Sequence, residues 1–205
     1  MTLARRDFLR SAAASVPAAA LAHLIESAAR GQSSAALPTP ELHVVPAGAD
    51  RLGTPHSLGM SSLAFKVLTA DTGGNLFVIE HSHLVPGGPP LHLHLYQDEW
   101  FYVMEGEVVF QVGEKRVQLK PGESVLGPRR VPHTFSSVAE ESRMLIAFTP
   151  ARMMEKFFVD GASNPRLALT AEFMNRYEME WIGPSPFAKN RDQGAKGARD
   201  KESGD

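Results

Sequence analysis

The sequence contains no cysteine. This absence excludes disulfide bonds, thiolate metal ligands, a catalytic thiol and the lipid-bearing cysteine of a lipoprotein. Any metal bound by this chain must therefore be held by nitrogen and oxygen ligands.

An excess of charge of one sign is also missing. Lysine and arginine number 21, aspartate and glutamate number 23, and the formal net charge at pH 7 is -2. The charges are interspersed and form no basic stripe that could follow a phosphate backbone, so nucleic acid is not an expected partner. With 205 residues, 43% of them hydrophobic, the chain is long enough for one domain with a buried core and extensions at its ends.

Long hydrophobic runs are absent at the amino terminus, where a basic segment precedes a short uncharged one. Arg5 and Arg6 come shortly before Phe8, and residues 11–21 are uncharged and rich in alanine. The segment resembles a twin-arginine export signal, and its apolar part is too short and too alanine-rich to span a bilayer stably. The resemblance implies that residues 1–31 are a removable signal and that the folded protein is exported, to the periplasm or beyond. An ordinary amphipathic helix with a basic start is the alternative.

The remainder of the chain falls into stretches of different composition. Residues 32–57 begin with serine, alanine and proline and are interpreted as a linker and N-terminal extension. Residues 58–150 carry short runs of β-branched and aromatic residues bounded by glycine or proline, a rhythm typical of an all-β barrel or jelly roll. Residues 151–187 have helical spacing, and the charged residues 188–205 are expected to be disordered.

The predicted strands and helices can be placed on the sequence. The predicted strands are Leu63–Thr69, Leu76–His83, Trp100–Met104, Val108–Val112, Arg116–Leu119, Ser124–Leu126, His133–Ser137 and Arg143–Thr149. One or two helices, at Arg152–Asp160 and Leu167–Glu180, are expected to pack on the barrel, with regular structure ending near Gly183.

Four residues have the chemistry and the spacing of a metal site. His92 and His94 are two residues apart, which in a strand places both imidazoles on one face. Glu99 opens the next strand, and a returning antiparallel strand can bring its carboxylate within about 5 Å of the histidines. His133 follows a proline-stiffened loop and is the expected fourth ligand.

These residues stand in a pattern that resembles the two-part signature of the cupin superfamily. The matching positions are Gly88, His92, His94, Glu99 and Gly106 in the first part and Gly122, Pro128 and His133 in the second. The resemblance covers about the middle half of the chain. It implies a cupin double-stranded β-helix (jelly-roll barrel) in which His92, His94, Glu99 and His133 bind one divalent transition metal: Fe, Mn, Ni, Co, Cu or Zn.

Two positions depart from the cupin signature. Arg130 stands where the second part usually has glycine, and because arginine resists a positive φ, the sequence does not predict the backbone conformation of that loop. Ser137 stands where asparagine is usual. Neither departure removes a ligand. The stretch from Glu99 to Val103 also resembles the quercetin dioxygenase-like cupins.

This resemblance implies a metal-dependent dioxygenase of flavonol-like or other enolisable aromatic compounds, with Glu99 as a ligand or as the catalytic proton acceptor. By strand parity Phe101, Val103 and Phe135 point into the barrel and are candidates for the substrate pocket, although plain core packing is an equal alternative.

Other functions remain open at this stage. A metal-dependent isomerase or lyase of a small hydroxyacid or sugar would use the same ligands, and a non-catalytic cupin that binds a metal or a small molecule would have a narrower pocket. Arg129 or Arg130 at the pocket mouth would favour an anionic substrate, but solvated loop arginines are the simpler interpretation. The resemblance also implies a homodimer, since cupins often pair through edge strands.

A second histidine pair has the same spacing as the first. His81 and His83 lie at the end of the preceding strand without a nearby carboxylate and are interpreted as surface or rim histidines. His23, His43 and His56 lie outside the predicted strands and carry no metal-binding signal.

Overall fold

The structure, a computed structural model, describes residues 42–188. The chain divides into two units, residues 1–43 and 44–205, and the fold described below belongs to the second. The predicted signal, residues 1–31, and all but the first residue of the predicted tail lie outside the described residues. Within residues 42–188 no helix has the length and apolar character needed to cross a bilayer.

Residues 42–188 form eleven strands, three short α-helices and one 3₁₀ turn. The strands are β1 (His56–Ser57), β2 (Ser62–Val67), β3 (Phe77–Leu84), β4 (Leu91–His94), β5 (Asp98–Glu105), β6 (Val108–Val112), β7 (Lys115–Leu119), β8 (Ser124–Gly127), β9 (His133–Ser137), β10 (Ser142–Thr149) and β11 (Met179–Gly183). The helices are α1 (Met154–Ser163), α2 (Pro165–Ala168) and α3 (Ala171–Asn175), and the 3₁₀ turn spans Thr69–Thr72.

The strands of the described region make two antiparallel sheets. The larger sheet has six strands in the order β1-β2-β3-β10-β5-β8, and the smaller has five in the order β11-β4-β9-β6-β7. The all-β jelly-roll class predicted from the sequence is confirmed. The short helices follow β10 along the chain.

The core is built by alternate residues of β3, β10 and β5. Ile79 lies opposite Ile146, which lies opposite Phe101, and these three side chains are at most 1% exposed. Burial of one such side chain stabilises the fold by about 1.5–3 kcal/mol. Two residues along each strand, Phe148 lies between Phe77 and Glu99 in the same way. The buried carboxylate of Glu99 is therefore next to the apolar core.

A buried ion cluster ties three strands of the larger sheet together. Glu80 of β3 is 3% exposed, and its carboxylate lies 2.9 Å from Lys66 Nζ of β2 and 2.7 Å from Arg143 Nε of β10. Burial raises the pKa of Glu80, but the hydrogen bonds from Arg143 and Lys66 outweigh that effect and hold the pKa below its ordinary value. Because a buried charge without partners is costly, this cluster favours the observed register over a shifted one.

The predicted strands correspond closely to β2, β3 and β5–β10, but the predicted second helix is wrong in its extent. In place of one helix over Leu167–Glu180 the chain forms α2 and α3, and then β11. Thr170 adopts an extended backbone and caps α3, accepting a hydrogen bond from Phe173 N. Glu178 then takes a left-handed backbone with φ of 63°, which ends helical geometry and lets β11 pair with β4. Regular structure therefore continues through Gly183.

Gly88 sits where no side chain fits. Its φ is +63°, and a Cβ at this position would lie 1.7 Å from the carbonyl oxygen of Phe135. The loop before β4 thus lies directly against β9, which carries His133. This close backbone approach explains why the first part of the motif begins with glycine.

Replacing Gly88 with alanine is expected to lower the free energy of unfolding by about 3 kcal/mol or more, because both the left-handed backbone and the contact with β9 are disturbed. Gly73→Ala is the matched control, since Gly73 has φ of +60° but nothing within 4 Å of its would-be Cβ. That control should cost only about 1–2 kcal/mol. Urea unfolding measures both, and equal losses would contradict the steric argument.

Candidate metal centre

The four candidate ligands come from both sheets. β4 carries His92 and His94, and β9 carries His133, which pairs directly with His92. Glu99 lies on β5 of the larger sheet, which pairs with β10 and β8. The expectation that Glu99 returns beside the histidines as a cross-strand neighbour is therefore wrong, because its carboxylate meets them across the interior between the two sheets.

The ligand atoms of these residues converge. One nitrogen from each histidine and one oxygen of Glu99 all lie within 4.8 Å of one another. Glu99 Oε2 is 2.8 Å from His133 Nε2 and 2.9 Å from His94 Nε2. All four side chains are buried, with Glu99 only 4% exposed.

Backbone carbonyls orient two of the imidazoles. His92 Nδ1 donates to the carbonyl oxygen of Pro90 at 2.8 Å, and His133 Nδ1 donates to that of Val131 at 2.9 Å. Such bonds fix the ring so that Nε2 is directed to the site, as is usual for metal-binding histidines.

His94 is the least satisfied member of the group. Neither of its ring nitrogens makes a well-aligned hydrogen bond with a residue that the structure describes, although Nε2 is close to Glu99. An unsatisfied nitrogen on a side chain that is 1% exposed costs free energy unless a further group completes its contacts. A divalent metal ion bound by three imidazoles and one carboxylate would do so, and the residues therefore fit such an ion.

The electrostatics of the site favour the ligand forms of these side chains. Burial, reinforced by the neighbouring histidines, lowers the pKa of His92 to about 3, and burial also lowers the pKa of His94. For Glu99, burial raises the pKa, but the hydrogen bond with His133 and the close contact with His94 outweigh this effect and hold the pKa below its ordinary value. The neutral imidazoles of His92 and His94 and the ionised carboxylate of Glu99 are the protonation states that metal binding requires.

The loop before His133 is shaped around the site. A Cβ on Gly127 would come within 3.2 Å of His133 Nδ1, so glycine leaves room for the imidazole. Arg130 adopts φ of 62°, the left-handed conformation in which glycine is usual, and its N–H donates to the carbonyl oxygen of His94 at 2.7 Å. Arg130 thus adopts the left-handed backbone conformation that glycine usually adopts at this position of the cupin signature.

A partly enclosed apolar cavity adjoins the candidate ligands. It has a volume of about 50 Å³. Its lining residues are Leu58, Met60, His81, Pro89, His92, His94, Glu99, Phe135, Ile146, Phe148, Met154, Phe157, Phe158, Leu169, Met174 and Met179. Since a water molecule needs roughly 10–15 Å³ on this measure, the cavity has room for about four waters or one small molecule.

The three residues predicted for the substrate pocket have different places. Phe135 lines the cavity, whereas Phe101 and Val103 do not and instead lie in the core, 1% and 0% exposed. Strand parity correctly predicts that all three point inward, but it does not predict where the packed core ends and the cavity begins.

Neither loop arginine lines the cavity. Arg129 donates to both carboxylate oxygens of Asp98, at 3.0 and 2.7 Å, on the exposed surface. Arg130 is exposed and lies near the carbonyl oxygen of Leu95. Their positions match solvated loop arginines and give no support to an anionic substrate.

The interpretation of His81 and His83 as surface residues is wrong for His81. His83 is exposed, with Nδ1 2.8 Å from Glu141 Oε2, but His81 is 3% exposed and lines the cavity. His83 has φ of 53°, and between His81 and Leu84 the register with β10 shifts by one residue. This bulge turns His83 outward while His81 keeps the inward orientation of its strand. His56, set outside the predicted strands, lies in β1 and stacks on Phe65.

Sequence reasoning missed most of the cavity wall. Helix α1 contributes Met154, Phe157 and Phe158, and α3 contributes Met174. The spacing of the α1 residues predicts a buried helical face. It does not indicate that this face closes the barrel over the metal site.

Comparisons with known proteins support the cupin interpretation. Residues 80–148, from β3 to β10, match the family described as Cupin domain, and this segment contains all four candidate ligands. An uncharacterised protein of Streptomyces coelicolor is 35% identical over 54 residues, which are 26% of this chain and 51% of that protein. The chain thus spans about half the length of that relative. Residues 80–148 are therefore similar to a cupin domain, and the subtype stays a prediction.

Solved structures show a partial likeness. KdgF from a Halomonas species is 18% identical with a TM-score of 0.43, covering 47% of this chain and 84% of KdgF. An RmlC-like cupin from Shewanella frigidimarina is 18% identical with a TM-score of 0.47, covering 57% of this chain and 99% of that cupin.

Replacing His94 with alanine is expected to reduce bound metal from about one ion per chain to a small fraction. Loss of a hydrogen bond to a ligand costs about 10–100-fold in affinity, and loss of the ligand itself costs more. Mass spectrometry of metals in untagged, dialysed protein measures this. His83→Asn is the matched control, since it removes a histidine from the second His-x-His pair, His81 and His83. Asparagine also tolerates the left-handed backbone that His83 adopts. Equal metal content in the two variants would refute the site.

Proposed function

We propose that this protein is a metal-dependent dioxygenase that acts on a small enolisable carbonyl compound. The observation that carries the proposal is a buried three-histidine, one-carboxylate cluster, three members of which, His92, His94 and Glu99, line a partly enclosed apolar cavity. Dioxygen is itself small and apolar and suits such a cavity.

A redox-active metal held by His92, His94, Glu99 and His133 would polarise an oxygen of the substrate and supply electrons for oxygen chemistry. The protein supplies the remaining functions. Glu99, kept ionised by its histidine neighbours, is placed to accept the proton released when the substrate enolises. The apolar side chains of α1 and β10 exclude bulk water from the reacting group.

The cavity limits the size of the substrate. Ligand sites for drug-sized molecules usually occupy about 300–1,000 Å³, whereas this cavity has about 50 Å³. A multi-ring flavonol does not fit within it. We therefore propose enolisable substrates of a few carbon atoms in place of a flavonol.

The isomerase or lyase alternative is less well supported. A sugar carries several hydroxyl groups that need hydrogen-bond partners when they are buried. Among the residues that the structure describes in the cavity wall, the polar side chains are His81 and the three ligands His92, His94 and Glu99. This wall offers too few partners for a polyhydroxylated substrate.

A non-catalytic metal-binding cupin is the second candidate, and the small volume of the cavity is the observation that favours it. Such a protein would hold the same ion in the same residues and would turn over no substrate. Metal content does not distinguish the two candidates, but oxygen consumption does.

Oxygen uptake by the metal-loaded protein is the decisive measurement. We expect uptake with small enolisable ketones and diketones when the protein holds iron, manganese, cobalt, nickel or copper, and none when it holds zinc. Quercetin should give no uptake, because of its size. Glu99→Gln should lower kcat by about 100-fold or more at equal metal content, the usual cost of losing a general base.

Glu105→Gln is the control for this variant. Glu105 lies on the same strand with its side chain largely exposed and outside the cavity, so its change should leave uptake unaltered. Tight metal binding without uptake for any metal or compound would reject the dioxygenase and leave the second candidate.

We also propose export by the twin-arginine route. The proposal rests on the amino-terminal residues Arg5 and Arg6 and the short uncharged stretch after them. Replacing both arginines with lysine keeps the charge and should leave the protein in the cytoplasm, as measured by fractionation of cells that express the full chain. Arg10→Lys is the matched control and should be exported normally; equal export of both proteins would contradict the proposal.

A further inference from the structure

His81 is a buried histidine with an unused ring nitrogen. It lies on β3 with 3% of its surface exposed, and its Nδ1 is 2.9 Å from Ser61 Oγ. Its Nε2 is buried and has no hydrogen-bond partner among the described residues. An imidazole nitrogen left in this state is costly unless another molecule completes its contacts.

The surroundings of His81 leave a cavity occupant as the natural partner. The ring packs edge-on against Phe135 and Phe158, with centroids 5.9 and 6.4 Å away. Neither aromatic ring competes as a conventional hydrogen-bond acceptor. Because His81 lines the same cavity as Glu99 and His94, a molecule bound at the metal can reach it.

The charge state of His81 restricts the kind of group it can bind. Burial lowers the pKa of His81 to about 4, and the nearby charge of Glu99 offsets this only in part. The imidazole is therefore neutral at pH 7. In an apolar wall a neutral imidazole suits an uncharged oxygen, whereas a second carboxylate would be buried without a counter-charge.

We propose that His81 Nε2 makes a hydrogen bond with an uncharged oxygen of the substrate. This inference rests on the proposed function and deepens it, because it names the substrate class: a small compound with one metal-binding oxyanion and one hydroxyl or carbonyl group. Ser61 acts as a positioning residue that holds the orientation of the imidazole ring through Nδ1. A hydroxyl group both donates and accepts, so it matches Nε2 in either tautomer.

Three small carboxylates test this proposal without turnover, since a carboxylate supplies an oxyanion that needs no enolisation. The probes are 3-hydroxypropionate, butyrate and malonate, which place a hydroxyl, a methyl or a second carboxylate at a similar distance from the first. Their binding to the metal-loaded protein is measured by isothermal titration calorimetry. We expect 3-hydroxypropionate to bind up to about tenfold more tightly than butyrate, the usual worth of one hydrogen bond, and malonate to bind most weakly.

The preference must disappear when the nitrogen is removed. In His81→Phe, 3-hydroxypropionate and butyrate should bind equally, while metal content and melting temperature report that the fold is intact. Ser61→Ala should reduce the preference and leave butyrate binding unchanged. His83→Asn, two residues along the same strand but outside the cavity, should keep the full preference.

Three results would overturn the role of His81. The first is equal binding of 3-hydroxypropionate and butyrate to the wild type. The second is a preference retained in His81→Phe, which would mean that the hydroxyl binds the metal itself. The third is binding of none of the probes. Failure of the proposed function is seen separately, as an absence of oxygen uptake in a protein that binds these probes.

Discussion

The structure depends on how the buried carboxylate of Glu99 is stabilised by its histidine neighbours. Glu99 lies at the end of an apolar core, next to Phe148, and is 4% exposed. An ionised group in such surroundings is stable only when paired, and its Oε2 is within 2.9 Å of both His94 and His133. Since Glu99 belongs to one sheet and the histidines to the other, the same contacts that stabilise the carboxylate also hold the two sheets face to face. A metal ion at this point would strengthen both effects.

The segment after the barrel determines what can reach this charge. Helices α1 and α3 place methionine and phenylalanine side chains over the opening, and β11 pairs with the strand that carries His92 and His94. The cavity that remains is small because these side chains are large. The C-terminal segment thus sets the volume of the site and fixes one edge of its ligand strand, so the size limit on the substrate and the placement of the histidines have a common origin.

The sequence predicts features that depend on local residue patterns, such as the strands. It does not predict which distant segments pair or pack together. The strands and the inward orientation of His92 and His94 follow from residue type and from a period of two, and the structure agrees with them. The partner sheet of Glu99 could not be predicted, because it depends on the order of strands in space. The strand β11 was missed for a similar reason. Its sequence favours a continued helix, and only the left-handed turn at Glu178 and the free edge of β4 make it a strand.

The two histidine pairs show why spacing alone does not define a metal site. Both read His-x-His, and in a regular strand both would present two imidazoles on one face. On β4 the backbone stays regular, and the two rings lie with centroids 5.2 Å apart beside a carboxylate. On β3 the bulge at His83 separates the pair, sending one histidine to the surface and leaving the other alone in the cavity wall. The same local pattern therefore yields a chelating pair in one strand and a single neutral hydrogen-bonding group in the next, and the difference lies in one residue's backbone conformation.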